Sequence, residues 1–116
     1  MFFWNTKKEI GIDIVDVRRF EPFAQDKDCG FLHKTFTPDE LNYCFLYKDT
    51  ALHLAGIFAA KEAVSKALGV KKFPFIEIEI RHGHDGKPEA YKSGKKLPVS
   101  VSIAHTSTTA VAFAIM

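Results

Sequence analysis

The run Ala51-Leu-His-Leu-Ala-Gly-Ile-Phe-Ala-Ala-Lys-Glu-Ala-Val-Ser-Lys-Ala-Leu68 is apolar or small on almost every side. It constrains the fold more than any other stretch. The pattern predicts a helix over about residues 50 to 68, ended by Gly69. A helix without a polar face must be covered all round, so this one has to be central and buried.

The elements that cover it can be read from periodicity. Lys8 to Val17 alternates apolar and polar residues, as a half-buried strand does, with Ile10, Ile12 and Ile14 on its apolar side and Val17 joining after a slip. Residues 18–28 read as a short polar helix or turn region ending near Cys29-Gly30. Thr37-Pro-Asp-Glu40 is a helix start, with a capping Thr, Pro at the first helical position and Glu three residues on; that helix should run to about Tyr47. Phe75 to Arg81 alternates strictly, Asp85-Gly86 marks a turn, and Glu89 to Lys92 suits the returning strand. Pro98 to Ala104 and Thr109 to Ile115 supply two more strands. The expected order is β-α-α-β-β-β-β. It describes an α+β fold in which a mostly antiparallel sheet packs on helices.

Size and charge narrow the class. A chain of 116 residues, 47% of them apolar and 26% charged, suits one continuous domain, and no repeat or linker divides it. No stretch approaches the roughly 20 apolar residues of a membrane helix. Met1 to Lys8 places apolar residues ahead of basic ones, the reverse of a secretory signal. Cys29 and Cys44 have no metal-type spacing and read as reduced thiols of a cytoplasmic protein. Residues 1–60 hold seven Lys/Arg against nine Asp/Glu, whereas residues 61–116 hold nine against five. The basic second half suits either an anionic ligand or acidic partner, or simply a solvated lysine face. Nucleic acid would call for a denser basic patch with interleaved aromatics.

Three features can carry chemistry. Asp13 interrupts an apolar strand, where it is either a harmless occupant of the wet face or a carboxylate in need of a partner. Glu62 and Lys66 stand four apart on the central helix, among Ala55, Phe58 and Ala59. They form either an ordinary helix pair or a partly enclosed charged site. His105 ends an apolar strand within Ser102-Ile-Ala-His-Thr-Ser107, where several donors could meet a phosphate, or where a histidine merely closes the strand. His33, His53, His82 and His84 stand out less, and His82 with His84 lacks the further ligands of a metal site. There is no Walker loop, dinucleotide-binding glycine pattern or nucleophile elbow.

In combination these segments are far more specific. Gly11-Ile-Asp-Ile-Val15, Phe31-x4-Phe36-Thr37-x2-Glu40-Leu41, Ala55 to Gly69, Ile78-Glu-Ile80, Gly86-Lys-Pro88 and Val101-Ser-Ile-Ala-His-Thr106 resemble, in order and spacing, the holo-acyl-carrier-protein synthases. These are the small 4′-phosphopantetheinyl transferases. The resemblance runs from about Glu9 to the C-terminus. It implies transfer of the phosphopantetheine arm of coenzyme A to a serine of apo acyl carrier protein, releasing adenosine 3′,5′-bisphosphate. Asp13 and Glu62 match the carboxylates that hold Mg²⁺ with the coenzyme A diphosphate, an arrangement usual for magnesium. Lys66 matches a catalytic lysine on these phosphates. Gly69, His105 and Thr106 match coenzyme A contacts. Arg18 and Arg19 match the segment that meets the acidic carrier protein. Glu62, a metal-activated water or, remotely, Glu40 would take the serine proton. Small members of the family resemble homotrimers with sites between subunits, so Asp13, Glu62 and Lys66 are expected from one subunit and His105 from the next.

Three departures accompany the resemblance. Ile57 stands where the family often has Arg, which leaves a phosphate contact to another group such as Lys71 or Lys72. The loop Val70 to Pro74 is shorter than usual, and residues 1–8 extend ahead of the usual start. Ile57 and the short loop motivate the alternative, a non-catalytic module that binds coenzyme A or a carrier protein.

Overall fold

The computed structural model describes residues 9–70 and 75–116. The extension 1–8, and the loop lysines Lys71 and Lys72 expected to replace a phosphate contact, lie outside the described residues. Strand β1 (Ile10–Asp16) leads through a 3₁₀ segment (Val17–Phe23) to helices α1 (Gly30–Thr35), α2 (Pro38–Cys44) and α3 (Thr50–Leu68). After a short 3₁₀ turn (Phe75–Glu77) come β2 (Ile78–His82), β3 (Pro88–Lys92), β4 (Lys95–Lys96), β5 (Ser100–His105) and β6 (Thr109–Ile115). All strand pairs are antiparallel, and the fold is α+β as expected. The strands form two sheets, ordered β1-β6-β5 and β2-β3-β4.

Helix α3 has the predicted bounds. Gly69 ends it at φ 73, a left-handed conformation that glycine adopts without strain. Thr37 and Glu40 make the predicted capping box, though α2 stops at Cys44, short of Tyr47. The short helix α1 was not expected. β2 starts only at Ile78, because the alternating run opens with a 3₁₀ turn.

The alternation of β1 is real, but its polarity is inverted. Ile10, Ile12 and Ile14 are 59%, 56% and 70% exposed, while Gly11 and Val15 face α3 and are buried. A Cβ on Gly11 would stand 1.9 Å from the Ala63 carbonyl oxygen, so only glycine lets strand and helix approach this closely. Ala110, Ala112 and Ala114 of β6 continue the same floor of small, fully covered residues. Alternation determines which residues share a face. The absence of side-chain bulk decides which face the helix covers, and Asp13 therefore sits on the helix side.

The remaining contacts of α3 are large. Phe20, Leu32, Phe36, Leu41 and Ile78 are fully buried around it. Inside this apolar shell lies one ion pair, Lys61 Nζ to Glu40 Oε1 at 2.6 Å, with both side chains wholly covered. Glu40 also accepts hydrogen bonds from the backbone N–H groups of Thr37 and Ile80, so one carboxylate joins α2, α3 and β2. Among the described residues no helix is long and apolar enough to cross a membrane.

Candidate active site

Asp13 projects from β1 toward α3, where Glu62 and Lys66 stand one turn apart. Lys66 Nζ donates to the Ile12 carbonyl oxygen at 2.8 Å and lies 3.6 Å from Asp13 Oδ1. The three residues singled out from sequence are thus brought together by the close approach at Gly11. Burial pushes the Asp13 carboxyl above its usual range, against the pull of Lys66. Glu62 is raised by burial first and by the Asp13 charge second, with Lys66 and Arg19 opposing. Two carboxylates that feel each other across a half-covered cleft resist joint ionisation until positive charge arrives.

The two arginines diverge. Arg18 is exposed and bound to Asp16, with Nη2 2.7 Å from Oδ2. Arg19 lays its guanidinium over the Phe58 ring at 4.8 Å and adds positive charge near both site carboxylates. Glu40 is far from this arrangement in role. It is buried, bonded on both oxygens, and holds the core together, so it is not a free base.

His105 and Thr106 stand elsewhere. Asp13 pairs with Ala112 on β6, whose other neighbour is Ile103 of β5, so β1 and β5 are opposite edges of the sheet. Helix α3 packs across all three strands between those edges. Thr106 Oγ1 accepts from the Thr108 and Thr109 N–H groups and shapes the β5–β6 turn. His105 borders a cavity of about 190 Å³ together with Tyr43, His53, Ile57, His82 and Gly86. His53 and His82, which looked unremarkable in the sequence, line the same cavity. Each stacks on a tyrosine, His53 on Tyr47 at 3.8 Å and His82 on Tyr43 at 4.1 Å. No local pattern joins β2 to the start of α3; only the spacing Asp49 to His53, one helical turn, hinted at an engaged histidine.

Among the described residues no group of three or more His, Cys, Asp or Glu side chains converges on a metal position. Asp13 and Glu62 are two ligand groups, enough for a hard cation that draws its remaining oxygens from a phosphate ligand and water.

Comparison with known proteins fits these features. The family described as the 4′-phosphopantetheinyl transferase superfamily matches residues 9–115. The holo-[acyl-carrier-protein] synthase of Chlorobaculum parvum is 40% identical over 113 residues, covering 93% of this chain and 97% of that protein. The enzyme of the same name from Carboxydothermus hydrogenoformans is 41% identical over 117 residues, covering 91% and 94%. Among solved structures, a Bacillus anthracis holo-(acyl-carrier-protein) synthase in complex with CoA (3′,5′-ADP) superposes with a TM-score of 0.77 at 35% identity, covering 92% of this chain and 93% of that one. A Helicobacter pylori synthase in complex with coenzyme A gives 0.75 at 33% identity, covering 90% and 96%.

Proposed function

The chain belongs to the 4′-phosphopantetheinyl transferase superfamily, and from that premise we propose that it moves the phosphopantetheine arm of coenzyme A to a serine of an apo acyl carrier protein. The serine oxygen attacks the phosphorus that bears the arm, the bond to the adenosine 3′,5′-bisphosphate oxygen breaks, and that bisphosphate leaves. The observation that carries this reading is the Asp13, Glu62 and Lys66 constellation, held by β1 and α3 in a chain similar to coenzyme A-bound synthases.

Lys66 contacts the diphosphate and offsets its charge. Glu62 or a water on the bound ion would take the serine proton. Asp13 and Glu62 would hold Mg²⁺ with the diphosphate, and when bound the ion supplies positive charge to the transferring group. Arg18 and Arg19, on the segment following β1, suit the acidic surface of a carrier protein. The thiols of Cys29 and Cys44 are free, in keeping with a reducing cytoplasm. Incubation with apo carrier protein, coenzyme A and Mg²⁺ should add the mass of one phosphopantetheine to the carrier. Tight coenzyme A binding without that mass shift would favour the non-catalytic alternative.

The same reading calls for more than one subunit. The outer face of the β1-β6-β5 sheet presents Ile10, Ile12 and Ile14 beside Phe113, which is 40% exposed. A row of apolar residues on one sheet face is expensive to leave in water and suits a second copy of the chain. The carboxylates lie toward one edge of this sheet and His105 toward the other. A closed ring of three subunits would set the Asp13 edge of one against the His105 edge of its neighbour. Asp13→Asn and His105→Ala proteins, each weakened alone, should regain activity when refolded together. A monomeric mass in solution, or no recovery after verified mixing, would remove the shared site.

A further inference from the structure

Lys66 has two partners in the free protein. Its Nζ donates to the Ile12 carbonyl oxygen at 2.8 Å and lies 3.6 Å from Asp13 Oδ1. The Asp13 side chain is only 18% exposed, whereas that of Lys66 is 53% exposed. The ammonium therefore stands beside the carboxylate that a divalent ion would need. We propose that Lys66 is an internal competitor for that ion: it neutralises Asp13 until a diphosphate draws its ammonium away, so that the cation is held firmly only together with the diphosphate. This rests on the coenzyme A reading above and concerns the order in which the parts of that site come together.

The chemistry of the groups supports such an exchange. A lysine is a compact charge on a flexible four-carbon stem with three rotatable donors, so it can change acceptor while its helix stays in place. Any cation that Asp13 holds has this ammonium as a neighbour, and like charges at close range repel. Burial raises the Asp13 carboxyl, and burial with the Asp13 charge raises Glu62; at both, Lys66 is the first cation to oppose the shift, ahead of Arg19. A diphosphate alters this balance in two ways. Its oxygens accept from the ammonium, and they supply ligands that two carboxylates alone do not give a hard cation. Without it, Asp13 keeps a partner of its own and is not left as an uncompensated, largely covered charge.

The competition can be read without turnover. Mn²⁺ takes the same carboxylate and water oxygens as Mg²⁺, and its binding to the full chain can be titrated with no coenzyme A present. Lys66→Gln and Lys66→Met proteins should bind Mn²⁺ about fivefold more tightly than wild type, the upper end for a part-exposed ion pair. Lys66→Arg keeps the charge and should bind it as weakly as wild type. Arg19→Gln removes a cation that makes no ion pair with Asp13, and it should change the affinity by less than about twofold. Added coenzyme A should tighten Mn²⁺ more in wild type than in the neutral Lys66 variants, because part of its effect in wild type is to draw the lysine off Asp13. Equal affinity in wild type and the neutral variants, or an Arg19→Gln gain as large as that of Lys66→Gln, overturns the competitor while leaving the transfer reading intact. If neither neutral variant folds, Lys66 is a structural clamp and the competitor role falls. Failure of every protein to bind Mn²⁺ with or without coenzyme A, together with no transfer to carrier protein, overturns both readings.

Discussion

Glu62→Gln and Asp13→Asn proteins should each lose phosphopantetheine transfer by at least about a hundredfold, the scale for removing one preorganised electrostatic contribution. Both substitutions keep size and hydrogen-bonding capacity and delete one negative charge. Stability should behave differently from activity. Burial and mutual repulsion raise both carboxyl groups above their usual range. A carboxyl whose folded pKa exceeds its unfolded value costs the folded state stability once pH rises through that window. Removing the charge at neutral pH should therefore leave the empty protein as stable as before, or slightly more so. Steady-state transfer assays alongside thermal melts read the two effects separately. Near-normal transfer at saturating Mg²⁺ would show that these carboxylates are not the metal and phosphate site, and a folded, inactive protein would assign them to it.

Lys61→Met should lower the free energy of unfolding by about 3–5 kcal/mol, because it strands a buried carboxylate. Glu40 and Lys61 are both fully covered, 2.6 Å apart, and the Phe36 ring closes one side of the ammonium at 5.6 Å. Burial drives the two groups toward neutrality, raising Glu40 and lowering Lys61, and each opposes the shift of the other. Without Lys61 only the Thr37 and Ile80 N–H groups remain on Glu40. The folded pKa of Glu40 must then rise further. The deficit should be small near the unfolded glutamate pKa of about 4.3 and grow as pH rises toward neutral. Chemical denaturation at about pH 5 and about pH 7.5 tests this. A deficit that does not change with pH, or one under about 1 kcal/mol, would mean that water reaches the pair. A loss of this size is a large share of a domain's total stability. Lys61 adjoins Glu62 in sequence, yet its work is to fasten α2 and β2 to the helix that carries the site.

The central helix was determined by its own residues. Its all-round apolar sequence demands burial, and Gly69 ends it wherever it is placed, since a left-handed cap is a local property. The Thr37 to Glu40 capping box is local in the same way, and so is the alternation that makes β1, β2, β5 and β6 strands. The quoted motifs also identify Asp13, Glu62 and Lys66 together, because the resemblance fixes their order and spacing along nearly the whole chain.

What local pattern cannot hold is which face of a strand meets the helix. The isoleucines of β1 looked like the core side and are bare, while Asp13 looked wet and is half-covered. Ala63 and Gly11 settle that between them, fifty-two positions apart, through a contact of backbone on backbone. Glu40 could be read as a cap or as a base until its second oxygen was found on the Ile80 N–H, forty residues away. The histidine-lined cavity belongs to the same class. His53, His82 and His105 come from the start of α3, the end of β2 and the end of β5, and nothing in the spacing of those residues sets them around one space. Periodicity and capping act over one or two turns of chain. Close approach, charge pairing and cavity walls are made by segments that meet only when the chain has folded, and for this protein they decide which side chains share a space.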